Sequence, residues 1–369
     1  LPHNGFQDRH IRPLCQPSSP RRAAAGPVYG STRQTLTRIR GLCTKMAAMR
    51  AITISPDQTL ELSEVPAPVA GPGEVVLDVI ATGVNRADVL QRLGHYTPPP
   101  GASETIGLEV SGTVREVGPT VEGWRPGDEA CALLAGGGYA EQVAVPAGQL
   151  LPVPAGLDLV DAAALPEAAC TAWSNLVDVG RLTEGETVLV HGGSGGVGSL
   201  AIQLARARGA RAVATAGGPA RTQRCRELGA DVVVDHRGDV PAAVLEATDG
   251  RGVDVILDLL GAGGLDANTR MLATGGRLVV IGLQRGRRGE LDLARLMAKQ
   301  ASIHGTLLRP RPVEQKAAIV ARVRERVWPM LDDGQVRAVV HDRIPLSEAQ
   351  RAHELLDSGT VFGKLLLVV

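Results

Sequence analysis

Residues 187–210, TVLVHGGSGGVGSLAIQLARARGA, constrain the fold of this chain more tightly than any other stretch. Thr187 to His191 is an apolar, β-branched run of strand length. Gly192, Gly193, Gly195, Gly196 and Gly198 crowd the positions that follow. Val197, Leu200, Ala201, Leu204 and Ala205 then recur at helical spacing, with Gln203, Arg206 and Arg208 on the other side. Gly209 stands where a helix ends in a left-handed residue. A strand, a glycine turn and a helix in immediate succession let the backbone approach a pyrophosphate closely. The helix start offers that anion free N–H groups and the positive end of a dipole. Gly193, Gly195 and Gly198 satisfy G-x-G-x-x-G, which is informative in this strand–turn–helix setting. A phosphate loop of the nucleotide-hydrolase type needs a lysine after its last glycine, and here Ser199 follows Gly198. The segment therefore predicts a dinucleotide site.

From about Ala168 onward the chain reads as βα repeats. Strand candidates lie at 187–191, 211–216, 231–235, 254–260, 277–282 and 302–308, with helical stretches between them. Such a series predicts a doubly wound parallel sheet, an α/β fold. Before it, short apolar or alternating runs at 50–54, 74–81, 112–117, 129–133 and 139–145 are separated by clusters such as Arg125-Pro126-Gly127-Asp128. These predict a β-rich domain. After Pro310 an amphipathic helix is expected near 313–331, then a short apolar strand at 364–369 that returns to the first domain. The expected organisation is a β-rich domain over 49–168, a nucleotide domain over 169–309 and a C-terminal return over 310–369. A length of 369 residues suits two domains.

Lys plus Arg total 39 and Asp plus Glu total 39, so no global field favours nucleic acid or a membrane surface. No apolar run approaches the roughly 20 residues of a membrane span. Cys15, Cys43, Cys131, Cys170 and Cys225 form no C-x-x-C, so neither a zinc knuckle nor a disulfide framework is indicated. A reducing, cytoplasmic setting fits. Residues 1–48 differ from the rest: Arg9, Arg12, Arg21, Arg22, Arg33, Arg38, Arg40 and Lys45 stand against the single acid Asp8. One reading is an Arg-rich transit peptide, which would make the protein mitochondrial. The other is a disordered tail or a translated upstream stretch, with the start at Met46 or Met49.

NAD-binding domains usually carry an acid about 20 residues past the glycines, at the end of the second strand. Here Thr215-Ala216-Gly217-Gly218-Pro219 holds no carboxylate, and Arg221 and Arg224 follow. An arginine facing an adenosine phosphate favours NADPH over NADH. The plainer alternative is that Arg221 is a solvated helix residue.

Several motifs now add up. NRADVLQRLGHYTPPPGAS (85–103), GLEVSG (107–112), LLAGGGYAEQVAVP (133–146), LPEAACTAW (165–173) and HGGSGGVG (191–198) follow one another in order. From Met49 to Val369 the chain resembles the medium-chain dehydrogenase/reductases. Within them it is most similar to the zinc-free NADPH:quinone oxidoreductases of the p53-inducible subgroup. The resemblance implies a GroES-like catalytic domain, a Rossmann domain and a cofactor in the cleft between them. It also implies homodimerisation through the outer strand of the Rossmann sheet, expected at 277–282. The implied reaction is NADPH-dependent reduction of a small-molecule quinone. Reduction of a conjugated double bond in an enoyl thioester or enal is an alternative, as is a non-catalytic NADPH-binding role.

Zinc-dependent relatives place a Cys, a His with Glu, and another Cys in the cleft. Here Asn85 takes the first of these positions and Leu108 the His position, beside Glu109, and the four-cysteine lobe of such relatives has no counterpart in 118–134, where Cys131 stands alone. No metal is therefore expected. Glu109 reads as a structural hydrogen-bonding residue, and Cys131 and Cys170 as small buried hydrophobes. Asn85 and Tyr96 are implied as the catalytic-cleft residues. The Tyr96 phenol either hydrogen-bonds a quinone oxygen and donates a proton, or only packs on ribose or caps the Pro98-Pro99-Pro100 turn. For the cofactor, Gly193, Gly195, Gly196, Val197 and Gly198 are assigned to the pyrophosphate, and Gly218 and Arg221 to the adenosine phosphate. His236 covers the adenine side or is a solvated loop histidine. Leu260 and Gly261, then Gly282 and Leu283, end the fourth and fifth strands, where ligands collect. Thr171 is assigned to the nicotinamide half. Arg309 and Lys364 lie near the cleft or are plain surface charges.

Overall fold

The structure, a computed structural model, describes residues 47–369. The basic N-terminal segment, up to Met46, lies outside the described residues.

The first part of the fold is a seven-stranded sheet. Along it run Val340–Pro345, Lys364–Val368, Glu74–Val84, Glu109–Val117, Glu129–Leu133 and Leu150–Pro152, with Gln142–Pro146 also pairing to Glu74–Val84. Two strands of this sheet come from the chain's end. Lys364–Val368 lies antiparallel to Glu74–Val84, with Leu366 opposite Gly83. One face buries Val75, Leu77, Val110, Val143 and Val145. Another cluster holds Ile52, Ile106, Tyr139, Leu365 and Leu367. A separate antiparallel pair, Ala48–Ile54 with Leu60–Pro66, flanks it.

The second part is a six-stranded, all-parallel sheet in the order Val232–Asp235, Arg211–Ala216, Thr187–Val190, Val253–Asp258, Leu272–Val280, Ser302–Gly305. In chain order this is 3-2-1-4-5-6, so the strand order reverses between Thr187–Val190 and Val253–Asp258, and the crevice above that point is where ligands bind. Thr187–Val190 is buried along its whole length, as a central parallel strand covered on both faces must be. Helix Gly196–Ala207 covers it with Leu200, Ala201, Leu204 and Ala205, and Gly209 ends it at φ +71°.

The expected outer strand needs correction. Residues 277–282 fall mostly in Leu272–Val280, which is paired on both sides, and the free edge belongs to Ser302–Gly305. The apolar run LVV there marks a strand enclosed by neighbours rather than an exposed one, and Leu278 and Val279 are fully buried. The helix expected over 313–331 is divided into Val313–Arg326 and Trp328–Asp332. Pro329 cannot donate to a continuing helical ladder. Helices Arg86–Arg92 and Ala349–Asp357 have too few turns to announce themselves by period.

Candidate active site

The glycine turn is closed on its inner side and open on its outer side. Gly192 at φ +67° and Gly193 are pinned to the second strand, their N–H groups donating to Thr215 Oγ1 at 3.1 Å and Thr215 O at 2.9 Å. A Cβ at Gly198 would run into the Gly192 carbonyl, so only glycine lets the helix start so close to the turn. A Cβ at Gly195 would meet nothing nearer than the Gly192 oxygen at 3.5 Å. Gly195 N–H donates to Gly192 O at 2.9 Å, so the N–H groups of Gly196 and Val197, at the first turn of the helix, are the donors left for an anion, a geometry that fits a pyrophosphate.

The returning end of the chain crosses this turn. Gly363 N–H donates to Ser194 O at 2.8 Å, and the Lys364 side chain lies directly over Gly196. The Lys364 ammonium, buried, donates to Asn85 Oδ1 at 2.7 Å and pairs with Glu109 Oε1. Asn85 Nδ2 donates to the same Glu109 oxygen at 2.9 Å and to Gly83 O at 3.3 Å. Glu109 Oε2 accepts the Glu167 backbone N–H at 2.9 Å. Every oxygen of this fully buried carboxylate is therefore satisfied, which is what a buried charge requires. One turn along helix Pro166–Trp173, Thr171 Oγ1 donates to Glu167 Oε1 at 2.8 Å. Burial holds the Glu167 carboxyl above the usual carboxylate range, the Glu109 charge adds to this, and Lys364 opposes it.

Tyr96 lies half-buried on the loop after helix Arg86–Arg92. The Arg309 guanidinium sits 5.2 Å from its ring centroid. Arg309 is itself fixed by Nε to Ala135 O and Nη2 to Gln91 Oε1, both 2.7 Å. Burial raises the Tyr96 phenol above its ordinary value, so it remains a proton-bearing donor at neutral pH. Leu108 is buried beside Glu109. Cys131 and Cys170 are fully buried, and burial pushes both thiols well above the range in which a thiolate forms.

The other end of the crevice gathers Gly218, Arg221 and His236. Gly218, at φ +78°, donates its N–H to Asp235 Oδ2 at 3.2 Å. The His236 ring covers Gly217, where a Cβ would lie 2.6 Å from its Cε1. The exposed Arg221 guanidinium donates to Gly359 O. The second strand indeed ends without an acid, but the third supplies one: Asp235 is held by Arg237 through Nε at 2.9 Å and Nη2 at 2.5 Å. The Arg237 hydrogen bonds hold Asp235 well below the usual carboxylate range. Leu260, Gly261, Gly282 and Leu283 come together at the neighbouring strand ends. Asp258 caps the Leu260 and Gly261 N–H groups at 3.0 and 2.9 Å, and a Cβ on Gly261 would meet Leu283 at 2.9 Å.

Sequence reasoning missed Glu167, which is half-buried, and under-read Lys364 and Arg309, both only 4% exposed. The available signal was local. Lys364 heads the run Leu365-Leu366-Leu367-Val368, and a cation there must either be paired or leave the strand.

A parallel sheet in this order, with an open glycine turn at its switch point and a β-rich domain's buried cluster above that turn, defines a two-domain dinucleotide-binding architecture. Residues 71–155 match the family model for the alcohol dehydrogenase GroES-like domain, and residues 196–322 that for zinc-binding dehydrogenase. The chain is 32% identical over 333 residues to a quinone oxidoreductase of Rattus norvegicus, covering 88% of this chain and 98% of that protein. It is 33% identical over 317 residues to a mycocerosic acid synthase-like polyketide synthase of Mycobacterium tuberculosis. That match covers 85% of this chain but spans only 15% of the synthase. A solved mycobacterial structure in complex with NADPH aligns at a TM-score of 0.77 and 31% identity, covering 87% of this chain and 100% of that one. The chain belongs to the medium-chain dehydrogenase/reductase family of oxidoreductases.

The zinc named in one of these descriptions does not fit the residues present. Among the described residues no group of three or more His, Cys, Asp or Glu side chains is arranged to hold a metal ion. Glu109 already carries the Lys364 ammonium, and a dication beside that ammonium would be repelled.

Proposed function

We propose that this chain is a metal-independent NADPH:quinone oxidoreductase. The observation that carries the reading is the Lys364–Glu109–Asn85 cluster, whose lysine lies over Gly196 of the glycine turn. A fixed organic cation stands at that point of the cleft, with no zinc donor set around it. NADPH, when bound, supplies the hydride. Gly196 and Val197 hold its pyrophosphate by backbone N–H groups, and Gly193, Gly195, whose N–H closes the turn onto Gly192 O, and Gly198 shape the turn that presents them. Gly218 and Arg221 receive the adenosine phosphate, and His236 covers the adenine side. Asn85 and Thr171 line the nicotinamide half, with Leu260, Gly261, Gly282 and Leu283 closing the floor. Tyr96, stiffened by Arg309, hydrogen-bonds the acceptor oxygen and excludes water from one side. A quinone is easily reduced and needs alignment more than Lewis-acid polarisation. The rat relative, matched almost end to end, supports a quinone as acceptor.

A second reading is reduction of a conjugated double bond in an enoyl thioester or enal, favoured by the match to part of a polyketide synthase. The Ser302–Gly305 edge, with Leu293, Met297 and Leu307 exposed near it, supports a homodimer paired along that strand.

NADPH oxidation followed with an ortho-quinone, a para-quinone and a trans-2-enoyl thioester tests the reading. Turnover with the quinones is the expected result. Turnover with the thioester alone transfers the assignment to the second reading. NADPH binding without turnover on any of the three makes the chain a non-catalytic NADPH-binding protein.

A further inference from the structure

We propose that Glu167 delivers the proton that completes reduction of the acceptor. The proposal rests on the reductase reading above and assigns a role to a side chain that the reading leaves unused.

Three acids surround the base of the cleft, and two of them are already committed. Glu109 has both oxygens bonded, to Lys364, Asn85 and the Glu167 N–H. Asp88 accepts from Asn85 N–H at 2.7 Å and Tyr139 Oη at 3.2 Å through Oδ2, and although its Oδ1 has no partner, the group is fully buried and cannot reach an acceptor in the cleft. Glu167 differs. It is only half-buried, and its Oε1 is held by the Thr171 hydroxyl. Among the described residues its Oε2 has no protein hydrogen bond, and no basic side chain forms an ion pair with it. Glu109 faces it from strand Glu109–Val117, Lys364 from Lys364–Val368, Tyr96 from the loop after Arg86–Arg92, and Cys170 and Thr171 from its own helix. The one cation among them is tied to Glu109 and Asn85. Burial and the Glu109 charge make this carboxyl hold its proton more tightly than an exposed one, against the pull of Lys364, and its unbonded Oε2 is the atom free to carry that proton toward an acceptor. The Glu167 backbone N–H donates to Glu109 Oε2 at 2.9 Å and its Oε1 accepts from Thr171 at 2.8 Å, which fixes the acid beside the Lys364–Glu109–Asn85 cluster.

The step balances. NADPH, when bound, would supply the hydride: one of its C–H bonds would break, that hydrogen and both electrons would bond to the quinone, and NADP⁺ would remain. The electron pair that collects on the quinone oxygen takes the Glu167 proton: the acid O–H bond breaks and the hydroquinone O–H bond forms. The carboxylate left behind keeps the Thr171 hydrogen bond and the attraction of the nearby Lys364 charge. Solvent returns the proton after the product leaves.

Glu167→Gln keeps the shape and the acceptor for Thr171 but carries no acidic proton. Infrared difference spectra of the wild-type protein across a pH titration should contain the carbonyl stretch of a protonated carboxylic acid that the Gln variant lacks. NADPH affinity, read by fluorescence, should change less than about twofold. With a para-quinone, kcat should fall about a hundredfold, within the range for loss of a general acid. Wild-type kcat should decline as rising pH removes the proton. That limb should vanish in Glu167→Gln and return in part in Glu167→Asp. A Gln variant with wild-type kcat and the same limb overturns the proposal, as does a wild-type protein without the Glu167 carbonyl band. A wild-type protein that turns over no acceptor overturns the reductase reading itself, a result distinct from normal turnover that survives Glu167→Gln.

Discussion

Lys364 donates from Nζ to Asn85 Oδ1 at 2.7 Å, across 279 positions of sequence. The contact joins the last strand of the chain to the N-cap of helix Arg86–Arg92, and the same ammonium neutralises Glu109. Lys364→Met should therefore strand a fully buried carboxylate without a cation and lower stability by about 3–5 kcal/mol. Adding Glu109→Gln should recover a large part of that loss, because it removes the uncompensated charge. Urea unfolding of both variants measures this. A double variant no more stable than the single one would mean that the lysine stabilises mainly through its aliphatic packing on Gly196.

Arg221 reaches Gly359 O from the first turns of helix Pro219–Glu227, at the end of the crevice where Gly218 turns the chain. Replacing it by Glu puts a carboxylate where an adenosine phosphate is expected. Arg221→Glu should raise the Kd for NADPH by about tenfold or more and that for NADH by less than about threefold. Equal changes for the two cofactors would assign the phosphate to other groups, with Arg237 the nearest cation.

Tyr96→Phe tests the acceptor side. If the phenol hydrogen-bonds the acceptor oxygen, kcat/KM for a para-quinone should fall about tenfold, in keeping with one hydrogen bond of about 1–2 kcal/mol. The Kd for NADPH should stay within about twofold. An unchanged kcat/KM would reduce Tyr96 to a packing role against Arg309.

The order of the βα repeats was legible because most of the strands, such as Thr187–Val190 and Val232–Asp235, are short, largely apolar runs set between helical stretches. Polar partners were not legible. The pairing of Lys364 with Glu109 depends on which strand lies beside Glu74–Val84, and that follows from tertiary closure rather than local period. Arg309 sits just before Pro310 in a segment with no periodicity, so nothing local marks it as buried. The outer strand was misplaced for a related reason: apolar content reports enclosure, and Ser302–Gly305 carries a polar residue at each alternate position.

That edge strand makes its own prediction. Met297 is 77% exposed, and Leu293 and Leu307 are 61% and 55% exposed, in the segments flanking Ser302–Gly305. Apolar side chains beside an open edge are covered when two copies pair along it. Sedimentation should find the wild-type chain dimeric and the Met297→Lys, Leu307→Lys double variant monomeric. A double variant that stays dimeric moves the interface elsewhere.

His353, Tyr139 and Asp88 form a buried chain whose two ends titrate in opposite senses. Arg92 Nε donates to His353 Nδ1 at 3.3 Å, so Nε2 carries the hydrogen and donates to Tyr139 Oη at 3.2 Å, and the phenol donates to Asp88 Oδ2 at 3.2 Å. Burial raises Asp88 to about 7 from an ordinary 3.8. Between these values the folded protein binds more protons than the unfolded chain, so Asp88 makes stability fall as pH rises. Burial, helped by Arg92, lowers His353 to about 3 from 6.5. There the unfolded chain binds more protons, so His353 makes stability rise with pH. The two slopes oppose one another between about pH 4 and about pH 6.5, and the wild-type contribution from the pair should be nearly flat across that window. Asp88→Asn removes one slope, so its stability should rise with pH by on the order of 3 kcal/mol more than the wild type over the same window. His353→Gln leaves the other, and its stability should fall toward neutral pH. Urea unfolding at about pH 4.5, about pH 6 and about pH 7.5 measures all three proteins. Parallel pH profiles for wild type and Asp88→Asn would show that Asp88 ionises in the folded state as freely as in the unfolded chain.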